Sequence, residues 1–301
     1  MTLTLKQVRY FIAAAETGQI SQAAMELNIS QSAVTAAIQA LETDLGVRLL
    51  ERGAQGVRPT IEGARFLDHA RNIAAAVEDA VRSPLGAVRR TEGRLRLAMT
   101  YTVAGYFMAR HLMRFRRAHP GIELDLREMP RTAIEPRLAE GSIDLAVMLV
   151  SNLADHGGLD CETLFRSQRR LWLPVDHPLL VQDRIGLADV AAEPYVMLTV
   201  DEAGATAGRY WAEAGLSPQV IFATSSVEAV RSLVAAGMGV TVLSDMVYRP
   251  WSLEGQRIEL RSLSDPVPSM DVGLAWARGR PLSEPAAVFR AFMSVALGGG
   301  G

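Results

Sequence analysis

The strongest constraint lies at the N-terminus, where three short apolar repeats of helical period sit almost end to end. Leu5, Val8, Phe11, Ile12 and Ala15 recur at helical spacing from Thr4 to Thr17, and Gly18 ends the run. Ser21 is placed to cap a second helix, Gln22 to Leu27. Asn28-Ile29-Ser30 makes a tight turn, and Ser30 or Gln31 opens a third helix that runs to Leu45 and stops at Gly46. Segments this short cannot be stable alone, so they must pack on one another. Ala23, Ala24, Val34 and Ile38 supply the contact, and small residues at 23 and 24 let two helices cross closely. That is the pattern of a helix-turn-helix. A ribbon follows, Val47 to Arg52 and Val57 to Thr60, joined by a Gly53-Ala54-Gln55-Gly56 turn.

From Ile61 to Val81 the pattern is helical and even. Phe66, Ala70, Ile73, Val77 and Ala80 alternate spacings of four and three, with Leu67, Ala74 and Val81 alongside, until Ser83-Pro84-Leu85-Gly86 breaks the run. The stripe reads as a coiled-coil seam for a second copy of the chain, the alternative being a core helix of the neighbouring domain. After Gly93 strands and helices alternate. Strands are expected around 95–99, 122–126, 143–149, 170–174, 195–198, 220–223, 240–243 and 272–276. Helices are expected over 103–119, 132–140, 205–214, 225–236 and 285–297, with a glycine tail from 298. Such alternation predicts an α/β domain with a mostly parallel sheet. A chain of 301 residues accommodates both parts.

Several function classes drop out. Lys6 is the only lysine, which leaves no P-loop, Schiff-base or catalytic ammonium elsewhere. No Gly-x-Ser-x-Gly, complete Gly-x-Gly-x-x-Gly or metal-ligand spacing occurs, and His69, His111, His119, His156 and His177 are scattered. Cys161 is the single cysteine, so no intrachain disulfide can form; a buried thiol is the expectation, with a nucleophile or redox sensor as the alternative. Neither a secretory leader nor a membrane span of roughly 20 apolar residues is visible, which points to the cytoplasm. A solute-binding receptor would explain the second half but not the first. An enzyme would need a constellation that the chain lacks.

Two kinds of site are readable. The third helix carries no charge from Gln31 to Leu41, and its polar residues Gln31, Ser32, Thr35 and Gln39 suit the edges of base pairs, with Ala36 among them. Net charge is −2 and the first 60 residues balance, yet Arg48, Arg52 and Arg58 flank the ribbon. Arg52 and Arg58, with Ser21 at a helix N-terminus, are the phosphate candidates, while Arg48 has Glu51 or Asp44 as an alternative partner. In the α/β half, polar clusters mark strand-to-helix junctions: Thr100-Tyr101-Thr102, Arg131-Thr132, Thr199 to Glu202, and Thr224-Ser225-Ser226. Carboxyl ends of strands converge on a ligand crevice, and helix N-termini there favour an anion. The expected effector residues are Thr100, Tyr101, Thr102, Arg131, Thr132, Thr199, Thr224 and Ser225. A small organic or aromatic carboxylate is the expected ligand, with Arg131 as counter-charge, although Asp201 and Glu202 oppose an anion. No metal or other cofactor is expected.

Phe11-Ile12-Ala13-Ala14-Ala15 to Gly18, Ser21-Gln22-Ala23-Ala24 to Leu27, and Ile29-Ser30-Gln31-Ser32-Ala33-Val34-Thr35 form one connected pattern. It continues through Ile38 to Glu42, Leu45 to Arg52, and Pro59-Thr60 to Gly63. Gly141-Ser142-Ile143-Asp144-Leu145-Ala146-Val147, His177-Pro178-Leu179 and Val234 to Val240 add to it. Together these resemble LysR-type transcriptional regulators over nearly the whole chain. The resemblance implies a multidomain α/β protein: a winged helix-turn-helix at 1–60, a dimerising linker helix at 61–88, and a two-lobed, periplasmic-binding-protein-like effector domain at 89–301. Lobe I would span about 93–163 and 265–297 and lobe II about 164–264, the chain crossing near Thr163 and Ser264. It also implies binding to double-stranded promoter DNA as a homodimer or homotetramer, and leaves RNA polymerase open as a further partner. The family often places a long polar residue near Ala36, so base contacts are expected to be sparser here.

Overall fold

The computed structural model describes residues 3–53, 56–82, 91–153 and 158–297. The chain divides into two compact units, Met1–Arg89 and Arg90–Gly301. The tip of the ribbon at 54–55, the breaker at Ser83 to Gly86, His156 and the glycine tail lie outside the described residues, as do the side chains of Ala80 and Val81.

In the first unit α1 (Leu5–Thr17), α2 (Ile20–Glu26) and α3 (Gln31–Leu45) are followed by β1 (Leu50–Gly53), β2 (Gly56–Pro59) and α4 (Ile61–Arg82). Local chemistry sets the ends. Thr4 and Gln7 form a reciprocal capping box, Ser30 caps α3 through the Ala33 N–H, and Gly18 and Gly46 close α1 and α3 in the left-handed conformation. Ser21 is not the cap that the sequence suggests. Because Gly18 turns the chain at once, α2 begins one residue before it, with Gln19 in the cap position and Ile20 against the core. Val8, Phe11, Ala14, Ala23, Val34 and Leu41 are fully buried between the helices.

Part of the stripe on α4 packs within the chain. Ala70 is fully buried in this same core, Phe66, Leu67 and Ile73 pack against it, and Phe66 meets the Phe11 ring edge-on at 5.2 Å. Arg71 adds an ion pair to Glu16 of α1 at 2.7 Å. The first half of the seam is therefore consumed inside the chain, as the core-helix alternative has it. Spacings of three and four mark a buried helical face without saying which partner buries it. Gly63 explains how closely α4 begins against the ribbon: a β-carbon there would lie 1.8 Å from the Leu49 carbonyl oxygen.

The second unit holds two sheets in one lobe arrangement and one in the other. A five-stranded sheet in the order β4-β3-β5-β12-β6 is built from β3 (Gly93–Met99), β4 (Ile122–Glu128), β5 (Leu145–Leu149), β6 (Leu159–Ser167) and β12 (Met270–Ala277). It forms the first lobe with α5 (Tyr101–Val103), a π-helical turn Ala104–Met108, α6 (Ala109–Ala118), α7 (Arg131–Glu140) and α11 (Glu284–Leu297). The second lobe contains β7 (Arg169–Pro174), β10 (Thr241–Ser244) and β11 (Ile258–Arg261) in one sheet, and β8 (Pro194–Leu198) with β9 (Gln219–Thr224) in another. Its helices are α8 (Leu187–Ala191), α9 (Ala203–Glu213) and α10 (Val227–Ala235).

The sheets are mixed rather than mostly parallel. β3 runs parallel to β4 and β5, and β8 to β9, but β12 is antiparallel to β5 and β6, and β7 to β10 and β11. The antiparallel strands include those that carry the chain between lobes. β6 stays in the first sheet to Ser167, whose register partner is Met270, so the crossings fall at Gln168 and between Arg261 and Met270. Arg169 fastens them together by donating to the Pro268 carbonyl and, at 2.8 Å, to that of Ser269. Gly239 lets β10 approach β8, since a β-carbon there would meet the Pro194 carbonyl at 2.5 Å. One apolar cluster joins Leu95, Val147 and Phe289 of the first lobe to Trp172, Val196 and Val230 of the second.

Candidate functional site

In the first unit the outer face of α3 is uncharged and open. Gln31, Ser32, Ala33, Ala36, Gln39 and Ala40 are exposed, and Thr35 is half-buried. Gln31, Thr35 and Gln39 are spaced by four, so they line one stripe. Beside it runs a groove of about 940 Å³ walled by Thr35, Gln39 and Thr43 on α3 and by Arg48, Glu51 and Arg52 on the ribbon. Ser32 Oγ lies 3.0 Å from Ser30 Oγ, inside the cap of the helix. Arg52 is exposed, whereas Arg58 is half-buried and directly opposite Glu51 in the ribbon register. Ser21 is half-buried on α2.

Glu42 also lines the groove, and composition counts it as a charge against DNA. Its carboxylate is engaged otherwise: Oε1 accepts the backbone N–H groups of Leu49 (2.7 Å) and Leu50 (3.0 Å). Glu42 thus pins the ribbon to α3. Its sequence separation from its partners hides that role.

In the second unit the predicted clusters are only partly brought together. Thr102 and Arg131, from the first lobe, face Asp201 and Glu202 from the second. Asp201 Oδ2 accepts from the Thr102 N–H at 2.7 Å and from its hydroxyl at 2.5 Å. Arg131 donates from Nη1 to Glu135 at 2.7 Å and from Nε to Glu202 at 3.3 Å. Burial alone would lower the Arg131 pKa, but the two carboxylates outweigh it and raise it. Asn152, which sequence reasoning missed, donates to the Asp201 carbonyl and to Glu202 Oε2, both at 3.1 Å. Its position just past the buried strand β5 was the available signal.

The remaining residues spread around this centre. Thr100 occupies the cap position of α5, is 2% exposed, and its hydroxyl has no hydrogen-bond partner among the described residues. Tyr101 packs on the apolar cluster. The Thr199 N–H donates to the Thr224 carbonyl at 2.9 Å, Thr224 Oγ1 accepts from the Ser226 N–H at 3.1 Å, and Thr132 and Ser225 are exposed. Away from this group, the Tyr106 hydroxyl crosses to Glu228 at 2.7 Å, and Glu228 pairs with the buried Arg231. Cys161 is half-buried, and burial raises its thiol pKa.

Residues 5–64 match the family model for the bacterial regulatory helix-turn-helix protein, lysR family, and residues 89–297 match that for the LysR substrate binding domain. The chain belongs to the LysR family. It is a LysR-type transcriptional regulator, with a DNA-binding helix-turn-helix and a domain that binds small-molecule effectors, in a family of regulators rather than enzymes. It is 32% identical to the HTH-type transcriptional regulator YnfL of Escherichia coli, over 99% of this chain and all of that one. It is 33% identical to the regulator TdfR of Cupriavidus pinatubonensis, over 99% of each. Among solved structures, the LysR family regulator HinK of Pseudomonas aeruginosa superposes with a TM-score of 0.64 at 26% identity, covering 98% of this regulator and 99% of HinK. No helix among the described residues is long and apolar enough to cross a membrane.

Proposed function

We propose that this regulator reads promoter DNA through Gln31, Ser32, Thr35 and Gln39, and holds the phosphates with Arg52, Arg58 and Ser21. The observation that carries the reading is the uncharged, exposed stripe on α3 beside a groove whose ribbon wall supplies arginines. Glutamine suits adenine and the threonine methyl suits thymine, whereas arginine on the ribbon adds affinity without sequence preference. The regulator works in the cytoplasm as a homodimer, and as a homotetramer on promoters, through a linker helix at 61–88 that follows the 1–60 reading domain. RNA polymerase is its further partner at the promoter.

Its effector binds between the lobes of the 89–301 domain, near Thr100, Tyr101, Thr102, Arg131, Thr132, Thr199, Thr224 and Ser225. A small organic or aromatic carboxylate is the class supported best, because the Thr102 donors already hold a carboxylate, that of Asp201. The test of DNA reading is selection from a random duplex pool with the full chain, repeated with Gln39→Ala. A recovered dyad in which one base position loses preference in the variant supports the reading. Recovery of the same motif with the same information at every position would overturn it.

A further inference from the structure

The pair Asp201–Glu202 is unusual in two ways. Both residues adopt the left-handed backbone conformation, with φ of 50° and 57°, a region that L side chains avoid unless their surroundings impose it. Both send a carboxylate across the cleft: Asp201 to Thr102, and Glu202 to Arg131 and Asn152. Thr102 also lies in the first turn of the helical run that continues through α6, where N–H groups have no partner within the helix and can receive an anion. Here the acceptor comes from the opposite lobe of the same chain. We propose that Asp201 and Glu202 form an intramolecular strap that occupies the anion-accepting donors of the first lobe and holds the cleft mouth shut.

The charges around the strap give the inference its direction. Three carboxylates are gathered here, Glu202 and Glu135 on Arg131 and Asp201, next to Glu202 in the chain, on Thr102. A further anion entering beside them would add to the excess negative charge, so an anionic effector binds by displacing the strap rather than by joining it. Displacement frees the Thr102 and Arg131 donors and cuts the Asn152 tie. Anion binding therefore opens this cleft mouth, whereas a ligand that adds bridges between two lobes would close it. This consequence for ligand class rests on the cleft being the effector site; the strap itself does not.

The experiment uses the full chain and separates the two. Hydrogen exchange is compared between the wild type and Asp201→Ala/Glu202→Ala without ligand. The expected result is exchange on the order of tenfold faster at residues 100–104, with β5 and β12 unchanged. Unchanged exchange at 100–104 overturns the strap, and so does loss of protection across β5 and β12, which would make the pair a folding element. Calorimetry with acetate and with phenylacetate then follows on the wild type and on Asp201→Asn/Glu202→Gln. At least fivefold tighter binding to the uncharged variant supports displacement, and equal affinity for both overturns it. Binding of neither carboxylate to either chain overturns the anionic-effector reading, with the strap still decided by the exchange result.

Discussion

Replacing Gly63 by alanine sets two physical effects against each other and decides which governs the joint between α4 and the ribbon. In an open helix the change should stabilise by up to about 1 kcal/mol, because alanine is the better helix former. Here the added β-carbon would lie 1.8 Å from the Leu49 oxygen and 2.8 Å from its carbonyl carbon. Ordinary contact is about 3.5 Å, so α4 must retreat by well over an ångström. That retreat costs about 1–3 kcal/mol as overpacking. It also strains the Thr60 N–H bond to the same oxygen, now 2.9 Å, worth about 1 kcal/mol. The net expectation is a loss of about 1–3 kcal/mol in the first unit, or roughly 10 °C in a unit of this size. All four tryptophans, Trp172, Trp211, Trp251 and Trp276, lie in the second unit. Tryptophan fluorescence should therefore melt as in the wild type while helical circular dichroism shows an earlier transition. A variant with an unchanged or higher first transition would show that the close approach carries no energy.

Other expectations follow from the same contacts. Glu42→Ala leaves the Leu49 and Leu50 N–H groups without their acceptor and should cost about 2 kcal/mol, read in the same dichroism melt; Glu42→Gln, which keeps an acceptor, should lose less. Removing Arg52 should weaken all DNA sequences alike and reduce the salt slope by about one unit, whereas Gln39→Ala should cost about 1–3 kcal/mol at one base position; a salt titration on specific and random duplexes separates them. Burial lowers the His119 pKa, beside Phe115 and Phe292. The unfolded chain therefore binds the proton first as pH falls through about 6.5, and this share of stability, present above that pH, is lost below it. Urea midpoints by tryptophan fluorescence at pH 7.5 and 5.5 should differ less in His119→Phe than in the wild type.

Capping and periodicity made most of the first unit legible, because Thr4, Gly18, Ser30 and Gly46 act on neighbours within four residues. What stayed hidden depends on partners far along the chain. The α4 stripe announces a buried face, but only the fold shows Phe66 turned to Phe11. β6 and β11 escaped because Leu159–Ser167 mixes charged and half-buried residues at a sheet edge, and Ile258–Arg261 is four residues long. In the cleft, junction polarity located Thr102 and Arg131 correctly as neighbours of Asp201 and Glu202. It could not show that the acids satisfy those donors, since the contact spans 99 residues for Thr102 and 71 for Arg131.

The paired crossings between lobes carry a mechanical consequence. Ser167 opposite Met270, and Arg169 bound to the Pro268 and Ser269 carbonyls, make two strands bend as a single leaf. Two strands fastened in this way cannot readily slide past one another, so a change in lobe angle must flex both crossings together. A spectroscopic ruler, with one label in each lobe, reads that joint flexing directly. The effects of a small molecule, a substitution or DNA on the crossings can be compared with the same pair of labels.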